Sequence, residues 1–315
     1  AFAAGRLVVV LEVDGGEQQF IYGHTDAITC LAYSADQALG ASGQVRRAGS
    51  RFAEVLLWSP ESLQPCATIA FHQADVEAVG FCQGGEVLVT IGADRDRTMA
   101  LWASASQEGR FHFRRNSKTP LAVCSAYKGG AVHGVLAAPG GPDLPRKFAT
   151  FGAAHVKFWQ CDRLAPMTPE GRRGAFIDGA PREVVAVAWA ARDRLVAGGS
   201  DGEVYFFVGT RAIRRFQLQR FSVAMLLPVR DALLVVYAHG VCSLLHGERA
   251  LDIDVASLEG APDPKMQSQI VGGAAWRQNS ILLASRTHLM FLDLVGGLQQ
   301  VQSCTVLVQQ PSKEL

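Results

Sequence analysis

Six times along this 315-residue chain, short apolar runs recur in the same order, separated by turns rich in glycine. The first passage takes in residues 27–33, 39–43 and 55–58, and the second residues 76–81, 87–92 and 99–102. The third covers 121–124, 148–152 and 155–159; the fourth 184–189, 195–199 and 201–207. The fifth covers 223–227, 232–236 and 240–245, and the sixth 270–276, 281–285 and 288–292. Runs of this length bounded by glycine read as β-strands. Between them no segment shows the 3.6-residue period of an amphipathic helix, which excludes a doubly wound α/β fold.

The first-run anchors Ile28, Val76, Leu121, Val184, Val223 and Ile270 stand roughly 40–60 residues apart, bracketing the ~40–45-residue period of a four-stranded propeller blade. The widest interval holds a loop-like insertion rich in proline and glycine at residues 138–145. A single four-stranded sheet cannot bury both of its faces, whereas a ring of sheets buries each against its neighbours. The reading is therefore all-β, a seven-bladed β-propeller. Six repeats are complete, and the seventh blade is expected from the hairpin at residues 6–22, turning at Gly15-Gly16, together with a strand at 301–309. Closure by both chain ends would remove the open edges of an incomplete ring.

Composition narrows the function. Hydrophobic residues make up 49% and charged residues 19%, too apolar for a disordered chain. Lys plus Arg number 30 against 29 Asp plus Glu, a balance that gives no support to nucleic acid as partner. The longest apolar stretch, residues 222–238, is interrupted by Pro228, Arg230 and Asp231, so no membrane span is expected and the chain reads as soluble. The seven cysteines form no CxxC pair and read as free thiols in a reducing compartment, not as a zinc site.

Within the repeat, Trp58, Trp102 and Trp159 occupy equivalent third-strand ends and are expected to wedge between blades. Asp201-Gly202 reads as a tight turn. Gly23-His24 precedes the first blade, where the imidazole can bridge that turn to the neighbouring strands.

These features resemble degenerate WD repeats, with Trp58-Ser59, Trp102-Ala103 and Trp159-Gln160 where Trp-Asp would fall. The ordered series resembles the first propeller of the echinoderm microtubule-associated protein-like family from about Leu7 onward. It comprises residues 18–32, Ala41-Ser42-Gly43-Gln44, Val55-Leu56-Leu57-Trp58-Ser59, Gly199-Ser200-Asp201-Gly202-Glu203-Val204-Tyr205, and Ala275-Trp276 with residues 281–284. Its most specific piece is Phe151-Gly152-Ala153-Ala154-His155-Val156-Lys157-Phe158-Trp159, similar to that family's Gly-x-x-His-[Ile/Val]-Lys-Phe-Trp strand. The Gly-His element is absent before several blades, and the fifth repeat departs most. The resemblance implies that residues 1–315 are one propeller, half of a tandem in a longer polypeptide. It also implies a partner in tubulin or the microtubule lattice, with other axonemal proteins as a further expectation, and a cytoplasmic, cytoskeletal or ciliary location. The alternative is a WD-repeat scaffold for signalling proteins.

For catalysis the chain offers no G-x-S-x-G elbow, P-loop or dinucleotide fingerprint. No catalytic residue, cofactor or metal ligand is assigned. The eight histidines are scattered, and His155, flanked by apolar residues in its strand, reads as structural. Asp94 and Asp96 alternate with Arg95 and Arg97, a self-neutralising turn in preference to a calcium loop.

The arginines are more informative. Arg46, Arg47 and Arg51 lie between the second and third runs of the first repeat, and Arg95 and Arg97 in the corresponding turn of the second. Corresponding turns emerge on one rim, so these five form a candidate partner-binding rim for an acidic protein surface. Ordinary solubility is the other reading. Arg110, Arg114, Arg115 and Lys118, like Arg172 and Arg173, fall in the connections between repeats.

Overall fold

The structure, a computed structural model, describes residues 1–11, 17–82, 85–95, 97–103, 105–107, 110–112, 119–140, 146–161, 169–229, 232–254, 270–277, 280–285, 288–295 and 300–309. Those residues form seven main sheets and contain no α-helix. They divide into two compact units, Ala1–Gly174 and Ala175–Leu315.

The first unit opens with a three-stranded sheet of Phe2–Ala4, Leu7–Leu11 and Gln18–Ile21. Blade 1 follows with Ile28–Tyr33, Gly40–Gln44, Ala53–Ser59 and Gln64–His72. Blade 2 is Val76–Cys82, Val87–Gly92, Thr98–Ala103 and Ala122–Ser125. A small hairpin, Ala105–Gln107 with Arg110–His112, is inserted before its last strand. Blade 3 is Val132–Ala137, Arg146–Gly152, His155–Cys161 and Glu170–Arg173.

In the second unit, blade 4 is Val184–Ala191, Arg194–Gly199, Glu203–Val208 and Arg211–Gln217. Blade 5 is Val223–Val229, Ala232–Tyr237, Val241–His246 and Arg249–Asp254. Blade 6 is Ile270–Arg277, Ser280–Ser285, His288–Val295 and Gln300–Gln309.

Two strand assignments differ from the sequence reading. The run at 121–124 is not the first strand of blade 3; Ala122–Ser125 pairs with Thr98–Ala103 as the last strand of blade 2. The inserted hairpin carried this strand away from its sheet in sequence, and its Leu121 and Val123 are exposed, as on an outer strand. The C-terminal strand likewise does not join the N-terminal hairpin. Gln300–Gln309 pairs with His288–Val295 and completes blade 6, because so short a link joins antiparallel neighbours. The N-terminal sheet instead gains Phe2–Ala4 as its third strand. The Gly15-Gly16 turn lies outside the described residues.

The repeat is visible in the register. Each of the six blades carries an irregularity one residue into its first strand, between Ile28/Cys30, Val76/Ala78, Val132/Gly134, Val184/Ala186, Val223/Met225 and Ile270/Gly272. A bulge re-aims one side chain. In blade 1 that residue is Thr29, whose hydroxyl donates to Val76 O, on the next blade, at 2.5 Å. In blade 2 it is Glu77, which accepts from the backbone of Val132 on blade 3. In these two blades the bulge thus ties the first strand to its successor.

Apolar packing does the rest. Trp102 joins a cluster made largely of blade 1 side chains, including Leu57, Ile69 and Val79 of blade 2. Trp159 packs with Val89, Met99 and Leu101 of blade 2, and Trp58 with Val8 and Ile21 of the N-terminal sheet. Each indole therefore reaches the preceding sheet. Gly40 lies opposite Trp58, and a Cβ there would meet the indole at 2.3 Å, so only glycine admits the ring.

Candidate interaction surface on the loops of blades 1 and 2

The loops between second and third strands rise from a buried polar anchor. In blade 1, His24 Nδ1–H donates to Gln44 Oε1 at 2.8 Å, and Ser42 Oγ lies 2.6 Å from Nε2. Trp58 Nε1–H donates to the same hydroxyl at 3.2 Å. Gln44 also accepts from Thr25 N–H and donates to Thr25 Oγ1. Side chains from two strands and the connection before the blade are thereby fixed where residue 45 leaves the sheet.

Blade 2 repeats the arrangement with His72, Thr90 and Trp102, at 2.8 Å and 2.9 Å through Thr90 Oγ1. His72 escapes a search for Gly-His because Phe71 precedes it. Its signal is spacing: it stands four residues before Val76, as His24 stands before Ile28. In blade 3 Trp159 Nε1–H donates to Thr150 Oγ1 at 3.0 Å. The equivalent spacing there falls on Lys128, which is exposed. His155 is fully buried on the third strand, stacked on Tyr127 at 3.8 Å, with Nδ1–H donating to Ala153 O. Burial lowers the pKa of all three histidines, to about 4 for His72 and His155. They are neutral at physiological pH.

In the second unit, the residues in register with the hydroxyl and the indole are apolar. Ala197 and Phe207 stand at the hydroxyl and indole positions of blade 4, and Val235 and Leu245 at those of blade 5. Phe176 meets Tyr205 and Phe207 edge-on at 5.0 Å and 5.2 Å. Asp201 occupies the blade 4 turn, its Oδ1 accepting from Glu203 N–H at 3.1 Å. Gly202 follows at φ +86°.

Above these anchors, Arg46, Arg47, Arg51 and Arg95 are exposed. Asp75 joins their two loops: its Oδ1 accepts from Arg46 N–H at 2.8 Å and its carbonyl from Ala93 N–H at 2.7 Å. Arg46 Nη1 donates to Ser50 O at 2.7 Å, and the Arg51 guanidinium lies 5.0 Å from the Phe52 ring centroid. Arg97 stands apart from this set. Its guanidinium is 2.9 Å from Glu77 and donates to the carbonyls of Ala93 and Asp94. Partly buried and ion-paired, it closes its own turn and offers no free charge to the rim. Asp96, Arg114, Arg115 and Lys118 lie outside the described residues.

A cavity of about 590 Å³ is lined by the first strands of blades 1, 2 and 3, including Thr29, Cys30, Glu77, Phe81 and His133. Thr29 and Glu77 are engaged as described, and burial pushes the Cys30 thiol up to about 11, far from the thiolate a nucleophile needs. Among the described residues no cluster of His, Cys, Asp and Glu could hold a metal ion, and no helix is long and apolar enough to cross a membrane. Cys30, Cys66, Cys82, Cys124, Cys161 and Cys242 are thiols, not disulfides.

Comparison with known proteins agrees with this geometry. Residues 15–46 match the family described as WD domain, G-beta repeat. Cilia- and flagella-associated protein 52 of Bos taurus is 28% identical over 107 residues, 34% of this chain and 17% of that protein. The Chlamydomonas reinhardtii protein of the same name is 32% identical over 106 residues, covering 33% and 17%. WD repeat-containing protein 90 of Xenopus tropicalis is 25% identical over 207 residues, covering 65% and 10%. The matches thus span less than a fifth of each of these three curated relatives. Among solved structures, that of U3-55K aligns with a TM-score of 0.64 at 16% identity over 98% of this chain and 90% of that one. The RRP9 WD40 repeats align at 0.62 over the same shares. With its repeated four-stranded sheets, its His–Ser/Thr–Trp anchors and these likenesses, the chain is a WD40 repeat protein with a β-propeller fold.

Proposed function

We propose that the chain is a non-enzymatic protein-interaction module of a microtubule-associated WD-repeat protein, binding the acidic surface of tubulin through the loops of blades 1 and 2. The observation that carries this reading is the gathering of exposed Arg46, Arg47, Arg51 and Arg95 on two loops held together by Asp75. Exposed guanidiniums on a rigid base steer and orient an acidic partner. The proposal extends to one propeller over residues 1–315, the first of a tandem like that of the echinoderm microtubule-associated protein-like family, in an axonemal or cytoplasmic cytoskeletal setting. Support comes from relatives named as cilia- and flagella-associated and from propellers that align over 98% of the chain.

The test is cosedimentation with microtubules across a salt series. Binding is expected at low ionic strength and should weaken as salt rises, because exposed charge pairs are screened beyond ~10 Å at 0.1 M salt. Reversing Arg46, Arg47, Arg51 and Arg95 to glutamate should reduce affinity by about tenfold or more with no change in thermal unfolding. Arg97 is left intact, since its loss would strand Glu77. Salt-insensitive binding, or full binding by the reversed variant, would remove the rim from the mechanism.

A further inference from the structure

The rim loop reads Arg46-Arg47-Ala48-Gly49-Ser50-Arg51. Ser50 N–H donates to Arg47 O at 3.0 Å, closing a four-residue turn in which Gly49 has φ +82°. The turn stands clear of the sheet: Ala48, Gly49 and Arg51 are exposed, and a Cβ on Gly49 would meet nothing within 4 Å. Ser50 Oγ is held by one local bond, donated to Phe52 O at 2.8 Å. The Arg46 guanidinium already touches the backbone of Ser50. A partly exposed hydroxyl, flanked by exposed residues, thus sits with guanidiniums three and four residues before it and one directly after.

We propose that Ser50 is a phosphorylation site for a protein kinase with a carboxylate-lined substrate cleft, and that the phosphate switches the rim off. Arg46 and Arg47 complement such a cleft by charge, and the exposed turn gives it access. In the transfer, Ser50 Oγ attacks the γ-phosphorus of ATP. A new O–P bond forms as the bond from that phosphorus to the β,γ-bridging oxygen breaks, and ADP leaves with the electron pair. The hydroxyl proton passes to a carboxylate of the kinase.

The phosphate brings about −1.5 to −2 charges and strong acceptors into a cluster of four arginines. Phosphoserine pairs with guanidinium forks in preference to leaving them free, so Arg46, Arg47 and Arg51 turn inward. Asp75 is the other acidic group at this loop, and its Oδ1 is already engaged with Arg46 N–H. The consequence for binding rests on the rim reading above; the modification itself does not.

The experiment treats the chain with an arginine-directed serine kinase and Mg·ATP, maps the phosphate by mass spectrometry, and compares treated with untreated chain. Incorporation is expected at Ser50, lost in Ser50→Ala, and about tenfold less efficient in Arg47→Ala, with thermal unfolding unchanged in both. Phosphate placed elsewhere, or indifference to Arg47, overturns the site. Binding is then read against microtubules and against poly-L-glutamate, a partner-neutral acidic probe. An affinity loss of about tenfold on phosphorylation is expected with both. Equal binding to poly-L-glutamate before and after treatment overturns the switch. Failure of the untreated chain to bind microtubules, with the polymer response intact, sinks only the tubulin reading.

Discussion

Replacing Trp102 by alanine is expected to lower the stability of the first unit by about 3–5 kcal/mol, the range for emptying a large buried aromatic site. The indole is 1% exposed and packs into a cluster drawn mainly from blade 1, so its loss opens space between two sheets and not at a surface. Its Nε1–H is also one of two groups converging on Thr90 Oγ1. Three variants separate packing from hydrogen bonding. Trp102→Phe keeps most of the ring and loses one bond, costing about 1–2 kcal/mol beyond the smaller volume. Thr90→Val keeps the shape but orphans both the indole N–H and His72 Nε2, at about 1–3 kcal/mol for each buried group. Val123→Ala, on the exposed outer strand of blade 2, should stay within about 0.5 kcal/mol. The measurement is urea unfolding at neutral pH. A Trp102→Ala cost near that of Val123→Ala would mean the indole does not bind the blades together.

The second unit shows how the hydroxyl–indole pair of this anchor is replaced as a whole. Blade 4 presents Ala197 and Phe207 where blade 2 presents Thr90 and Trp102, with Phe176 edge-on to the ring. When donor and acceptor are replaced together, no buried group is left unsatisfied, and the net change can approach zero. The same logic limits what the sequence discloses. Strand positions in five repeats are readable because the apolar runs and glycine turns alternate without interruption. The third repeat is mis-phased because residues 104–121 separate the last strand of blade 2 from its sheet, and Leu-Ala-Val-Cys is as apolar as an inner strand. His72 and Thr90 pass unnoticed because motif recognition follows dipeptides such as Gly-His, whereas the physical requirement is an imidazole within reach of a hydroxyl. Arg97 looks equivalent to Arg95 in one dimension, but Glu77, twenty residues earlier, reaches only one of them through the bulge. Charge in a sequence does not say which side chain is free; the fold decides it.

Acid should destabilise the first unit well before its carboxylates are fully protonated. Burial holds His72 and His155 at about 4, against the ordinary 6.5. For His72 the facing Asp94 opposes that shift without cancelling it. For His155 the bond to Ala153 O opposes it, while the charges of Arg173, His133 and Lys157 reinforce burial. Both groups fold neutral, so between pH 6.5 and 4 the unfolded chain binds more protons than the native one, and stability rises with pH across that window. Conversely, lowering the pH from 7 to 4.5 should cost roughly 2–3 kcal/mol per histidine, levelling off below about pH 4 as the native imidazoles protonate. His155→Phe isolates the effect, since a phenyl ring keeps the stack on Tyr127 but cannot titrate. Its own cost at pH 7, from the lost bond to Ala153 O, is about 1 kcal/mol. The variant should therefore start less stable than the parent at pH 7 and cross above it by pH 4.5 in urea titrations. Parallel pH profiles for the two chains would show that His155 is not buried as a neutral base, and the stacked, desolvated geometry at blade 3 would be wrong.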